Sequence, residues 1–273
     1  DRSRGLGDVY KRQKIYSVSH LLTAKEPLIR TRPFRAPHHT VSVQALTGGG
    51  RRPKPGEISL ATGGILFLDE FPEFSRAALE TLRQPLEERE VTVSRVEASV
   101  TYPANFQLVA AMNPCPCGHF PDRSRCRCTD GQITRYLQKV SGPMLDRIDI
   151  CVEASPITYG DIRSSGNNES SREIRARVEQ ARKIQGERFA GENIRCNGEM
   201  SGRHIRKFCW LGREEEKFME EIFKKLALSA RMHDRILKVA RTTADLAEEE
   251  KIRLADLCEA VSYVKSRDKF WGN

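Results

Sequence analysis

Nowhere in this chain do apolar residues run on for the ~18–20 positions that a membrane-spanning helix requires, which excludes such a span. A charged leader followed by an apolar core is also missing, so nothing marks the chain for secretion. There is no GxxxxGK[ST] phosphate loop. Gly48-Gly49-Gly50 is followed by Arg51-Arg52-Pro53, without the Lys-Ser/Thr pair that such a cradle needs. Internal repeats and extended low-complexity tracts are absent, which excludes a repeat architecture.

What is present is a charge-rich chain of 273 residues, 38% apolar and 30% charged, long enough for one large domain or two modest ones with a real core. The formal charge of +9 suggests a polyanionic partner, with nucleic acid first. The eight cysteines are read in a reducing cytoplasm, where close pairs point to metal rather than to disulfides.

The organising stretch is Gly63-Gly64-Ile65-Leu66-Phe67-Leu68-Asp69-Glu70. Four apolar residues bounded by glycines and Pro72 predict a strand buried on both faces of a parallel sheet. Asp69 and Glu70 then stand at its C-terminal end, where open α/β sheets place ligands. One carboxylate can hold Mg²⁺ through water and the other can orient water for phosphoryl transfer; the plainer alternative is a solvated acidic turn. Phe106 to Ala111 predicts a neighbouring strand that delivers Asn113 to the same end, unless Asn113 merely turns the chain before Pro114.

Residues 1–13 show no periodicity and are expected to be a non-native or disordered segment. Ile15 to Ile29 predicts a short helix and connector, and the Pro- and Gly-rich stretch 32–56 a flexible basic loop. Its adjacent His38 and His39 make a poor metal site without other ligands. Ser75 is expected to cap a helix that carries Leu79 and Leu82 and is closed by Pro85. Alternation over 91–102 predicts a hairpin. Ser141 to Ile150 reads as a turn leading into a strand, with Arg147 ion-paired to flanking acids.

Cys115-Pro116-Cys117 and Cys126-Arg127-Cys128 can converge on one tetrahedral Zn²⁺. Four free thiols, or His119 in place of one ligand, are the alternatives. Cys151, Cys196, Cys209 and Cys258 read as packing residues. The run Ser164 to Asn168 reads as a linker. After it, stripes at Ile174/Val178/Ala181/Ile184, Phe218/Ile222/Leu226, Ile236/Leu237/Ala240/Ala244 and Leu254/Leu257/Val261/Val264 predict helices packed on a core. Arg231 stands in the first turn of one of them. The expected organisation is an α/β core over 14–160, a linker over 161–171 and a helical region over 172–273.

With these pieces in order, the chain resembles the magnesium-chelatase-like AAA+ ATPases of the ComM (YifB) group. The resemblance is carried by RPFRAPHHT (32–40), PGEISLATGGILFLDEFPEF (55–74), AAMNPCPCG (110–118), CRC (126–128), GQITRYLQKVSGPMLDRID (131–149) and LSARMHDRILKVARTTADL (228–246). It implies a partial P-loop core, a parallel sheet with a hairpin insertion, followed by an α-helical lid. It also implies roles for single residues. Asp69 and Glu70 resemble a Walker B pair, for Mg²⁺ and for the attacking water. Asn113 resembles the first sensor, Arg147 an arginine finger acting on a neighbouring subunit, and Arg231 the second sensor on the lid. The hairpin resembles one that this clade turns towards nucleic acid.

The implied cofactors are ATP and Mg²⁺, with Zn²⁺ for the cysteines. The implied assembly is a hexameric ring, and the implied partner is branched or single-stranded DNA, consistent with branch migration during natural transformation. Two alternatives stay open: a chelatase-type subunit that uses ATP to insert Mg²⁺ into a porphyrin, and a zinc-stabilised DNA-binding or oligomerisation module without catalysis. Family members carry a phosphate loop upstream of the RPFRAPHH segment, so the chain is expected to be a C-terminal fragment.

Overall fold

The computed structural model describes residues 2–22, 27–50, 53–94, 99–154, 159, 163 and 169–271. The chain divides into two compact units, Asp1–Ile148 and Asp149–Asn273. The linker expected over 161–171 falls largely outside the described residues.

The first unit opens with helix α1 (Arg2–Val18), which takes in most of the segment expected to lie outside the fold. Periodicity missed it because so little of it is covered: among its described side chains only Ile15 is fully buried. The stretch expected to be a loop is more ordered than its prolines and glycines suggest. It holds β1 (Phe34–Arg35), α2 (Val43–Thr47), β2 (Gly48–Gly49) and β3 (Lys54–Pro55), with β2 and β3 paired antiparallel. The glycines there serve close approach rather than flexibility. Gly48 has φ +102°, and a Cβ on it would lie 2.3 Å from the Lys54 carbonyl oxygen.

After α3 (Glu57–Leu60) comes β4 (Ile65–Leu68), the predicted central strand. It lies between β1 and β7 (Gln107–Ala110) in a three-stranded parallel sheet, with Leu68 opposite Ala110. Gly64 permits that pairing, since a Cβ on it would sit 1.9 Å from the Pro33 oxygen. Leu66 and Leu68 are fully buried, whereas Ile65 and Phe67 are half-covered. The expectation of burial on both faces thus holds for one face only; on the other, Phe67 stacks on the exposed Phe34.

Ser75 caps α4 (Arg76–Thr81) as predicted, its Oγ accepting from the Ala78 N–H at 3.2 Å. Pro85 does not close that helix. The chain breaks at Leu82 and restarts as α5 (Arg83–Glu88), where Pro85 falls in the first turn, whose N–H groups need no intrahelical partner. The hairpin of β5 (Glu90–Ser94) and β6 (Ser99–Pro103) is present, with Val91, Val93 and Tyr102 turned inward and residues 95–98 outside the described set. Helices α6 (Asp130–Leu137) and α7 (Gly142–Leu145) follow, each started by a side-chain cap, Thr129 and Ser141. No strand follows α7 among the described residues, because Ser141 and Pro143 begin a helical turn instead.

The second unit is helical: α8 (Ser171–Arg188), α9 (Gly202–Phe208), α10 (Arg213–Lys225), α11 (Ala230–Leu246) and α12 (Leu254–Trp271). The predicted stripes supply its core, in which Met219, Ile222, Ile236, Leu237, Ala240, Leu257, Val261 and Val264 are all buried together. The ends of the stripes are exposed: Ile174 and Val178 on α8, Phe223 on α10 and Leu254 on α12. Of the four isolated cysteines only Cys209 packs inside; Cys196 and Cys258 are exposed, and Cys151 is half-covered. Short polar-flanked cysteines carry too little apolar surface to dictate burial on their own.

Candidate functional site

The C-terminal ends of β4 and β7 meet through backbone hydrogen bonds. The Ala111 N–H donates to Leu68 O at 3.0 Å, and the Phe71 N–H donates to Ala111 O at 3.0 Å. Asp69 and Glu70, both exposed, occupy the turn between these contacts. Glu70 adopts a left-handed backbone, φ +51° and ψ 44°, which costs a non-glycine residue on the order of 1–2 kcal/mol. Two contacts hold it there. Its N–H donates to Asp69 Oδ1 at 2.9 Å, and its carboxylate Oε2 lies 2.8 Å from His39 Nδ1.

His39 is a site residue that sequence reading missed. Its ring packs on His38 (centroids 4.0 Å apart) and edge-on to Phe74. The signal lay in its position: β1 runs parallel to β4, so polar residues just past β1 emerge at the same end of the sheet. At two residues, β1 is too short for periodicity to reveal. The bidentate pair of Arg35 with Glu57, at 2.6 and 2.7 Å, anchors this segment to α3.

Asn113 is exposed just past β7, its side chain next to Gly118, where an added Cβ would sit 3.7 Å from Asn113 Cγ. Arg147 is folded onto its own unit rather than paired with flanking acids. Its Nη2 lies 2.8 Å from Glu87 Oε1, Nε donates to Arg83 O at 3.1 Å, Nη1 donates to Pro143 O, and only 12% of the side chain is exposed. Arg147 and Glu87 were far apart in the linear chain, so no spacing argument could pair them. Arg231 is exposed in the first turn of α11, in the second unit.

The cysteine pairs do converge. The Sγ atoms of Cys115, Cys117, Cys126 and Cys128 all lie within 4.8 Å of one another, with separations of 3.4 Å (115–117), 3.8 Å (115–126) and 3.6 Å (117–126). Four thiolates at the usual Zn–S length of about 2.3 Å would be about 3.8 Å apart on a tetrahedral edge, so this donor set fits a single Zn²⁺. His119 is not in the cluster. Backbone N–H groups of His119 and Arg127 pull the Cys117 thiol down to about 6, while desolvation and the neighbouring Cys117 push Cys128 up to about 11. Thiols this close cannot all ionise without a cation among them. Tyr136 on α6 is buried beside both features: desolvation, Glu73, Cys115 and Glu70 push its hydroxyl up to about 12.

Comparison with known proteins gives the chain a family. The family described as magnesium chelatase, subunit ChlI, matches residues 7–162, and its C-terminal region matches residues 168–264. The chain belongs to this family. Within it, the chain is 48% identical to competence protein ComM of Haemophilus influenzae over 235 residues, 86% of this chain and 45% of that protein. It is 47% identical to YifB of Escherichia coli, a protein described as uncharacterized, over 86% of this chain and 46% of that one. Similarity to the magnesium-chelatase 67 kDa subunit of Heliobacterium mobile is lower, 28% over 52% of this chain and 20% of that subunit. This magnesium-chelatase-family chain is thus of the ComM/YifB kind, and it spans just under half the length of those relatives.

Proposed function

We propose that this chain carries the metal, water and sensor side of an ATP-hydrolysing AAA+ motor of the ComM type, acting on branched or single-stranded DNA as a cytoplasmic, hexameric ring. The observation that carries the reading is the Asp69-Glu70 turn at the C-terminal end of a parallel strand, with Glu70 held by Asp69 and His39. In this reading Asp69 binds the Mg²⁺ of Mg-ATP and Glu70 orients the lytic water. Asn113, one strand over, senses the γ-phosphate. Arg231 on the helical lid is the second sensor. Arg147, released from Glu87, reaches the nucleotide of the neighbouring subunit. The β5–β6 hairpin faces nucleic acid, and the four cysteines hold one structural Zn²⁺ that orders the loop after β7.

The test uses the whole protein. Glu70→Gln keeps the shape of the side chain but not its charge, so Mg-ATP binding should persist while turnover collapses; equal loss of both, or neither, rejects the assignment. The 273 residues contain no phosphate-loop motif, so this chain by itself should turn over ATP negligibly. Elemental analysis should find about one zinc per chain; a metal-free, well-folded preparation removes zinc from the proposal.

A further inference from the structure

The loop that carries the cysteines also forms a concavity, lined by Cys117, His119, Ser124, Arg125 and Arg127. We propose that this concavity is a contact site for the sugar–phosphate backbone of nucleic acid, with Arg125 and Arg127 as its phosphate-binding pair. The inference rests on the nucleic-acid part of the proposed function and is independent of ATP hydrolysis.

Three arginines punctuate the loop, and they are not equivalent. Arg123 is already engaged: it pairs with Asp130, donates to Cys128 O at 3.2 Å and lies over the Phe120 ring, 5.1 Å from its centroid. Arg125 and Arg127 are exposed and have no salt-bridge partner among the described residues. Asp122, the carboxylate within the loop, turns onto Ser124, accepting from its N–H at 3.0 Å and its Oγ at 2.6 Å; it meets Arg125 through the backbone N–H of that residue, and its guanidinium only through space. Arg125 and Arg127 thus bring cations, and Ser124 and His119 hydrogen-bonding groups, to a concavity that Cys117 also lines, a set that suits a ligand rich in oxygen acceptors.

Why phosphate, and why a polymer? The planar guanidinium fork matches two phosphate oxygens, and two such forks at i and i+2 can take neighbouring phosphates or two oxygens of one. Cys126 sits between them and Cys128 follows, both tied into the thiolate cluster, so the backbone bearing the arginines is fixed before binding. Ordering the site in advance lowers the entropy lost on association. The chain's charge of +9 draws in a polyanion from a distance. The competing role for these arginines is to neutralise the thiolate cluster itself, which a metal-binding measurement separates from nucleic-acid binding.

The experiment compares the chain with its Arg125→Gln/Arg127→Gln and Arg125→Lys/Arg127→Lys forms, each loaded with Zn²⁺ to equal measured content. Binding of fluorescent single-stranded and duplex oligonucleotides is followed by anisotropy across a salt series. Loss of two phosphate contacts should weaken binding roughly tenfold at low salt. The slope of log affinity against log salt should become shallower by about 1.4 for single strands and about 1.8 for duplex. The lysine form should keep most of the slope, because the charge on phosphate remains. Equal slopes in the parent and the glutamine form overturn the proposal. So does loss of zinc affinity from the glutamine form without loss of DNA binding, which assigns the arginines to the thiolates. Displacement of DNA by inorganic phosphate at constant ionic strength assigns the pocket to a small anion, and displacement by polyglutamate assigns it to an acidic protein; either overturns it too. If the parent chain binds no DNA, the nucleic-acid part of the proposed function falls as well. If the parent binds and the glutamine form binds alike, only this site assignment falls.

Discussion

In the unit that ends at Ile148, the candidate polar residues Asp69, Glu70, Asn113, Arg125 and Arg127 stand exposed on turns and loops. In the unit that begins at Asp149, the closest charge cluster is inside. Asp245 on α11 is fully buried and accepts from both nitrogens of the Arg188 fork, from Arg241 Nε at 3.0 Å and from Asn197 Nδ2 at 2.7 Å. Arg241 in turn donates to the carbonyls of Glu249 and Glu250 at 2.5 and 2.8 Å, closing the end of α11. The contrast has a physical basis. A buried charge must have every lone pair and proton met by its own chain, and so is locked to one geometry. A charge on a turn keeps part of its coordination open, which is what binding and catalysis need.

Mutations that separate rate from stability probe this contrast, and the largest effect is expected in the first unit. Arg147→Ala in the whole protein should lower ATP turnover by ~10³–10⁵, the usual worth of an arginine finger, with nucleotide binding retained. Mixing that variant with Glu70→Gln subunits should restore part of the turnover, because each supplies what the other lacks. If no mixing ratio does so, Arg147 acts within its own subunit or not at all.

Next in size is Asp245→Ala, which takes the carboxylate partner from buried Arg241 and largely covered Arg188 and should cost about 3–5 kcal/mol in denaturant unfolding. Asp69→Ala, by contrast, should leave stability within about 0.5 kcal/mol. Comparable costs for the two would erase the distinction between the units. Within the first unit, Leu66→Ala should cost roughly 2–5 kcal/mol as a cavity under the sheet, and Phe67→Ala clearly less, since its face of β4 is only half-covered. Equal losses would mean that the open face is packed in solution.

The smallest effect concerns thiol reactivity in the second unit. Burial pushes the Cys209 thiol up to about 12, so it stays protonated and shielded, and its alkylation should not accelerate between neutral pH and about pH 9. Exposed Cys196 and Cys258 should label faster than Cys209 throughout that range. Mass spectrometry of the native, alkylated chain reads out both; rapid labelling of Cys209 would show that the helical core opens locally.

Much of this molecule follows from short-range pattern. The runs at Ile65–Leu68 and Gln107–Ala110 are strands, the 91–102 alternation is a hairpin, Ser75 caps a helix, and the helical stripes bury their centres. These features depend on side-chain period and on hydrogen bonds within a few residues, which a linear chain displays. The two C-x-C pairs were likewise visible as a metal-binding pattern. Pairing across distance was not. His39 on Glu70, Arg147 on Glu87, and Arg188 on Asp245, 57 positions away, join residues that no local rule relates. They meet because the parallel sheet aligns the ends of β1, β4 and β7, and because the helices fold back on one core. Which carboxylate is held by a histidine, and which arginine is buried against its own unit, is set by that long-range closure of the backbone and by the cost of leaving a desolvated charge unmet.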